Sequence, residues 1–471
     1  MKIKRQKLEN FLLFSLSLLV MLLPALLNGY PLLFSDSGTY IISGHIDYVP
    51  VDRPISYGLF VRHLSLSWRL WLVIVIQTAL FYYCVFLLVR FHAQLKKPFL
   101  WTFFILLILS IFSGLAYFAS HLTADIFTSM TFLTLFLIYS LPKSQKIHLV
   151  FLCVLFGFST ISHLSHLPLS LALIAFLAIV ELFKRIKYKH FYKLKRLIFL
   201  SSIFVGSLLT SSIVNYYFSG SAKLSRASNI VIGARFIETG IANEHLKRVC
   251  NSGDNLPYGE LCDYIDKFDQ WPAAGFYLHS SDSPLYSGDC FERDWTSCWL
   301  EKDSAYHVMI TDILAQDDFL KAFAGIAITG TLTQFFTYEL SKLDPVDVDY
   351  MINRHYPNER YIYEHSNQRQ RSLFFDDLSF RQMIFIYLSF MFLFYVFLRK
   401  WKALHQVSKI LLALMLFALI VNAFVCATFS NVVPRYQARI IFLLPLVLLL
   451  LALKQVKQKK ITERINLKEW L

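Results

Sequence analysis

The residues best suited to chemistry in this chain are carboxylates and arginines set beside apolar segments. The stretch 34–62, FSDSGTYIISGHIDYVPVDRPISYGLFVR, carries Asp36, Asp47 and Asp52, then Arg53-Pro54 and an amphipathic run that ends at Arg62. It lies between the first and second long apolar runs. A carboxylate beside a bilayer is costly unless it faces water or a partner, so this loop reads as the floor of an active site at the membrane surface. Asp36 is the candidate general base, and Gly38 allows close backbone approach. The competing role for Asp36 is a helix cap for 37–42, since Asp caps well ahead of a helical run. Asp52 is either a second catalytic carboxylate or the partner of Arg53 at the turn before Pro54. Asp125, at the start of an apolar run, reads as a catalyst, a cap or an ion-pair partner.

Cations complete the set. Arginine stays charged and holds phosphate oxygens bidentately, which makes Arg53, Arg62, Arg435 and Arg439 candidates for a phosphate. Their alternative is headgroup contact or snorkelling at a helix end. Arg435 and Arg439 are one helical turn apart. His163 and His166, at i,i+3 spacing, share a helix face as phosphate or metal contacts, or else sit satisfied at the interface, as does His121. Asp344, Asp347 and Asp349 in LDPVDVDY have the oxygen chemistry for a divalent cation. No EF-hand glycine or terminal glutamate follows them, so a plain acidic loop is the other reading.

The elements that must position these groups are membrane helices. The chain has 471 residues, 56% hydrophobic and 16% aromatic, with mean hydropathy +0.49. Its apolar residues come in runs long enough to cross a bilayer. About ten spans are predicted, at 11–28, 70–89, 99–117, 122–141, 147–162, 168–183, 197–217, 382–398, 410–428 and 440–453. The formal charge of +14 does not point to nucleic acid, because the basic residues cluster in short loops such as 184–196 and 454–460. Those loops alternate with acidic ones, and only Glu9, Glu181, Glu463 and Glu469 fall on the basic side. By the positive-inside rule both termini are then cytoplasmic. The N-terminal run is read as a retained helix rather than a cleaved signal, since no clear small-residue cleavage site follows.

Residues 218–381 form one outer segment, read as a small α-rich domain. Its cysteines, Cys250, Cys262, Cys290 and Cys298, suggest two disulfides in an oxidising compartment. Three connectivities are open, local pairing being the simplest, and a zinc site is the alternative. Cys84, Cys153 and Cys426 fall in spans and read as small apolar residues. The fairly apolar stretch 321–338 is predicted to be an interfacial or re-entrant helix.

Asp36-x-Gly38-x-Tyr40, then Ser43-Gly44, then Arg53-Pro54-x-x-Tyr57 resembles the first outer loop of GT-C glycosyltransferases. These integral membrane enzymes use polyprenyl-phosphate sugars, and lipid A aminoarabinose transferases and protein O-mannosyltransferases are similar in order. LTAD at 122–125 resembles the polar opening of the family's fourth span, and Pro434-Arg435-Tyr436 the Arg-Tyr opening of its late helix. Ser37 stands where the family commonly has a second acid, and the outer segment is similar instead to uncharacterised bacterial membrane proteins. The resemblance implies an inverting sugar transfer in the periplasm, at the bacterial inner membrane, to a lipid, glycan or protein acceptor. Asp36 would then be the base, with Asp52 and Asp125 as the other candidate carboxylates. The arginines would hold the donor phosphate, and Tyr40, Tyr57, His163 and His166 would contact substrate. A divalent cation is an open cofactor. Aromatic residues in 271–299 have the faces to stack on sugars. A lipid-linked glycan transporter or flippase, or a glycan polymerase or ligase, are the rival classes. A transporter would place charges deep in its spans and often carry inverted repeats; here the polar residues lie at span ends and no repeat is evident.

Overall fold

The computed structural model describes residues 2–189, 193–250, 256–287 and 295–469. Among these the chain is helical and has no strand, only isolated bridges joining Leu32 to His121 and Leu343 to Leu373. Seven helices in the described residues are long and apolar enough to cross a membrane: Trp71–His92, His166–Lys187, Leu194–Ser219, Asp317–Phe336, Asp376–Ala403, Gln406–Phe429 and Pro434–Val456. Shorter apolar helices accompany them at Pro98–Phe112, Ile126–Ser140 and Lys146–Ile161. The chain is thus a multi-pass α-helical membrane protein. The predicted span 11–28 is broken into Lys2–Met21 and Leu23–Asn28, with Pro24 in the first turn of the second piece. The predicted span 99–117 stops at Phe112, and the chain restarts as Leu115–Ser120 after Ser113-Gly114.

Several helices turn their apolar residues outward. Ile147, Val150 and Val154 are exposed on one helix, and Ile198, Val205, Leu209 and Ile213 on another. These spacings of three, four and seven make continuous apolar stripes. Such stripes are stable against lipid and not against water. The helix Ile126–Ser140 is the opposite case. Almost all of it is buried, polar residues included. Thr131 and Thr134 return their hydroxyls to backbone carbonyls one turn earlier, Thr128 meets His166, and Ser129 donates to the Arg439 carbonyl. This central helix is the axis of the bundle, and Asp125 stands at its start.

The two ends of the bundle are distinct. At one end the first loop docks on the stretch just before the central helix: Leu32 N–H donates to Ser120 O and Leu122 N–H to Leu32 O, each at 2.9 Å. The Ser37 hydroxyl adds a bond to Leu122 O. At the opposite end Tyr139, Glu181, Lys184 and Lys193 form a polar cluster.

The segment 218–381 holds a cap and a strap, joined by the helix Asp317–Phe336. Helices Ser228–Glu238, Ile241–Val249, Ala274–His279 and Trp295–Leu314 pack around their own core of Ile230, Phe236, Leu246, Trp271, Trp299 and Met309, and form a cap. Val51 of the first loop joins that core, and its carbonyl accepts from Ala227 N–H at 3.1 Å. Residues 338–373 instead strap the bundle, contributing Tyr338, Leu343, Ile352 and Tyr356 to its core. Buried Glu359 accepts from Tyr30 Oη and Leu70 N–H, and Gln368 bonds both Leu33 backbone groups. In the cap Cys250 and Cys262 form a disulfide, as local pairing predicts. Cys298 is also disulfide-bonded, and Cys290 lies outside the described residues. Cys84, Cys153 and Cys426 are free.

The helix Asp317–Phe336, predicted to be interfacial or re-entrant over 321–338, is long enough to span. Both its ends nevertheless meet elements of the site end. Asp318 pairs with Arg248 in the cap. Gln334 exchanges hydrogen bonds with Val433, and the Tyr338 carbonyl accepts from Gln382, which also holds Gly114 N–H.

Candidate functional site

The first loop folds into two short helices, Ser35–His45 and Ser56–Ser65, packed closely against each other. A side chain on Gly44 would collide with the Gly58 carbonyl, and one on Gly58 with Ser43. Glycine at both positions therefore sets the spacing of the helices that carry Asp36 and follow Arg53. Asp36 is the second residue of its helix and does not cap it. The hydrogen bond across that terminus runs from Phe34 N–H to Ser37 Oγ, and the Asp36 carboxylate is committed elsewhere.

That commitment is a chain of alternating charges. Arg53 holds Asp52 through Nη2 at 2.6 Å and Asp36 through Nη1 at 2.9 Å. The other oxygen of Asp36 accepts from Arg435 Nη2 at 2.7 Å. Arg435 Nε lies 3.2 Å from Asp125 Oδ2, and Asp125 Oδ1 accepts from Arg439 Nη1 at 2.9 Å. Arg439 also donates to Ser165 Oγ and touches Cys426 Sγ. The network holds Asp36, Asp52 and Asp125 against Arg53, Arg435 and Arg439, so its formal charge is zero. Aromatic faces support the cations: Phe34 lies 4.0 Å from the Arg435 guanidinium carbon and Tyr40 lies 5.4 Å from that of Arg53. Asn422 fixes the start of the late helix by donating to Tyr436 O and Gln437 Oε1.

The network forms one wall of a cavity of about 390 Å³ between bundle and cap. Asp36, Tyr40, Asp52, Arg53, His163, Arg435 and Arg439 line it from the bundle, while Val231, Leu278, His279 and Trp299 close it from the cap. A concave, mostly apolar pocket with a few convergent charges is the usual form of a small-molecule site. Burial alone would raise the Asp36 carboxyl, but Arg53 and Arg435 outweigh it and hold the group well below the usual carboxylate range. Burial, helped by the charge of Arg439, lowers His163 to about 3, so it presents a neutral imidazole.

The structure gathers many of the predicted residues and sets others apart. Asp125 does not line the cavity; it stands behind the arginines and anchors two of them. Arg62 turns away, pairing with Asp47 Oδ1 at 2.7 Å and with Gly44 O. Tyr57 is buried behind Tyr40, edge-on to its ring, and donates to Gln77 Oε1. His166 is buried too: its Nδ1–H is directed at Ser159 O and Nε2 at the Thr128 hydroxyl. The His163 and His166 rings lie 5.3 Å apart and tilted to each other, but only His163 lines the cavity. Asp344 is met by Lys342 and Ser372, and Asp349 by Arg369. Among the described residues no group of three or more metal-ligating side chains is assembled. Phe34, Tyr436, Ser165 and His279 were not singled out from sequence. The run Pro434-Arg435-Tyr436 carried the only signal for any of them. No family model, no curated protein and no solved structure matches this chain.

Proposed function

We propose that the chain is a glycosyltransferase of GT-C type that moves a sugar from a polyprenyl-phosphate donor to a lipid, glycan or protein acceptor. It would work in the bacterial inner membrane with about ten spans, both termini cytoplasmic and the cap in the periplasm. One observation carries the reading: a carboxylate, Asp36, is shared between two arginines at the wall of a cavity where bundle and cap meet. Such a site has the two parts that sugar transfer from a lipid phosphate requires. A base takes the acceptor proton, and cations hold the leaving phosphate.

Charge balance supports the same assignment. The donor is a phosphodiester with one negative charge. When the acceptor oxygen attacks the anomeric carbon, the bond to phosphate oxygen breaks and a phosphate monoester leaves with a second negative charge. The acceptor proton passes to Asp36, which loses its own. The pocket charge is therefore conserved, and the arginines meet the charge where it develops. Asp52 and Asp125 fit as positioning carboxylates for Arg53 and Arg435, and Tyr40 and Trp299 provide aromatic faces for a sugar.

The test is transfer by purified protein in lipid nanodiscs, using a panel of synthetic polyprenyl-phosphate sugars together with lipid, glycan and peptide acceptors. The expected result is release of polyprenyl phosphate with at least one donor, reduced by roughly 10²-fold or more in Asp36→Asn. An Asp36→Asn protein that turns over at the wild-type rate would remove Asp36 as base. No release from any donor would remove the transferase reading.

A further inference from the structure

Asp36 is the cavity-lining carboxylate of the network that bridges two arginines, and each of those arginines has a second holder. Arg53 is gripped by Asp52 through Nε and Nη2, and only its Nη1 reaches Asp36. Arg435 has Asp125 beside Nε and Phe34 against its face, and it reaches Asp36 with Nη2. The N–H groups directed at Asp36 can be given to another anion without either guanidinium moving. That edge faces the cavity, whereas Asp125 is buried behind it.

We infer that Asp36 is a self-ligand: in the resting protein it occupies the phosphate site, and a lipid phosphate monoester or diester displaces it from Arg53 and Arg435. The exchange rests on the phosphate-binding part of the proposed function, and it adds a regulation to that site. With the arginines neutralised by Asp36, the pocket is closed to weak anions and the carboxylate is too well paired to accept a proton. Once phosphate holds the arginines, Asp36 is left beside a new negative charge with its two strongest partners gone. Both changes favour its protonated form, so the donor itself prepares the base. An acceptor that arrives first meets a carboxylate unable to act.

Two substitutions separate this exchange from simple repulsion. Removing any negative charge near the phosphate would tighten anion binding a little. Exchange predicts different outcomes at two carboxylates. Asp36→Asn removes the competitor, so farnesyl phosphate, measured by calorimetry in detergent, binds about tenfold tighter or more. Asp52→Asn removes the holder of Arg53, so the same ligand binds no tighter than to wild type. Equal tightening in both variants would overturn the exchange and leave the transferase reading to its own assay. Inorganic phosphate serves as the second probe. If it gains in Asp36→Asn while farnesyl phosphate binds to neither protein, the exchange stands for a free phosphate and the lipid-donor reading fails. Should Asp36→Asn not fold, infrared difference spectra of wild type decide: farnesyl phosphate must shift a carboxylate stretching band, and an unchanged band overturns the exchange.

Discussion

The anchoring role of Asp125 gives the most direct energetic test. Its carboxylate is 1% exposed and lies between Arg439, which is fully buried, and Arg435, which is nearly so. Among the described residues, Asp125→Ala leaves Arg439 hydrogen-bonded to side chains only at Ser165 Oγ and Cys426 Sγ, and leaves Arg435 with Asp36 as its only carboxylate partner. Breaking a buried ion pair by removing one member costs about 3–5 kcal/mol, because the remaining charge stays buried and uncompensated. Arg439→Ala strands Asp125 less severely, since Arg435 remains beside it. Much of either loss is the penalty of the orphaned partner, so the double variant should cost less than the sum of the singles by about 1–3 kcal/mol. Reversible unfolding in mixed micelles, followed by tryptophan fluorescence, measures all three. A function-specific signal should accompany the loss. Asp125 does not touch the cavity, so Asp125→Asn in the folded fraction should raise the donor KM more than it lowers kcat. Costs under about 1 kcal/mol for Asp125→Ala, at the level of an exposed pair, would refute the anchoring argument, as would strict additivity.

Two further predictions concern pH and covalent structure. Arg53 and Arg435 overcome burial and depress the Asp36 carboxyl in the resting protein; this contributes stability that is present above the ordinary carboxylate value and lost as pH falls through the depressed one. Donor binding relieves the depression, so the acid limb of kcat should lie at higher pH than that of kcat/KM for donor; coincident limbs in the two profiles would count against the exchange. In the cap, replacing Cys250 and Cys262 with serine should lower stability by about 2–4 kcal/mol, seen as an earlier melt of the purified protein without added reductant, and an unchanged melt would show that the bridge contributes nothing to the cap.

The first loop was the most legible part of the site because local sequence sets most of it. Asp36 and Tyr40 sit on, and Arg53 shortly precedes, helices whose closest contact is made by Gly44 and Gly58, not by Gly38. Periodicity and hydropathy gave the helical class. They did not give the breaks at Leu22 and at Ser113-Gly114, since hydropathy runs on across a helix end. Nor did they divide 218–381 into cap and strap. Tyr356 and Glu359 stand in an ordinary polar stretch, and only packing assigns them to the bundle. Arg62 shows the limit of composition: it has the same chemistry as Arg53 and lies in the same loop, but a single ion pair with Asp47 takes it out of the site.

What remained hidden was pairing. Asp36 and Arg435 are 399 residues apart, and each has a satisfactory local explanation, as a cap and as a snorkelling cation. The bilayer favours pairing them. At the buried end of a helix bundle a lone guanidinium or carboxylate is strongly disfavoured, so charges on separate helices must meet where the helices converge. The central helix makes that meeting possible. It brings Asp125 to the level of Arg435 and Arg439, and the stretch leading into it accepts the docked first loop through Leu122. A sequence can show that three acids and three arginines lie near helix ends. Only convergence decides that Asp125 is an anchor behind the arginines, that Asp52 is a holder, and that Asp36, itself on the cavity wall, bridges two arginines where an incoming anion can take its place.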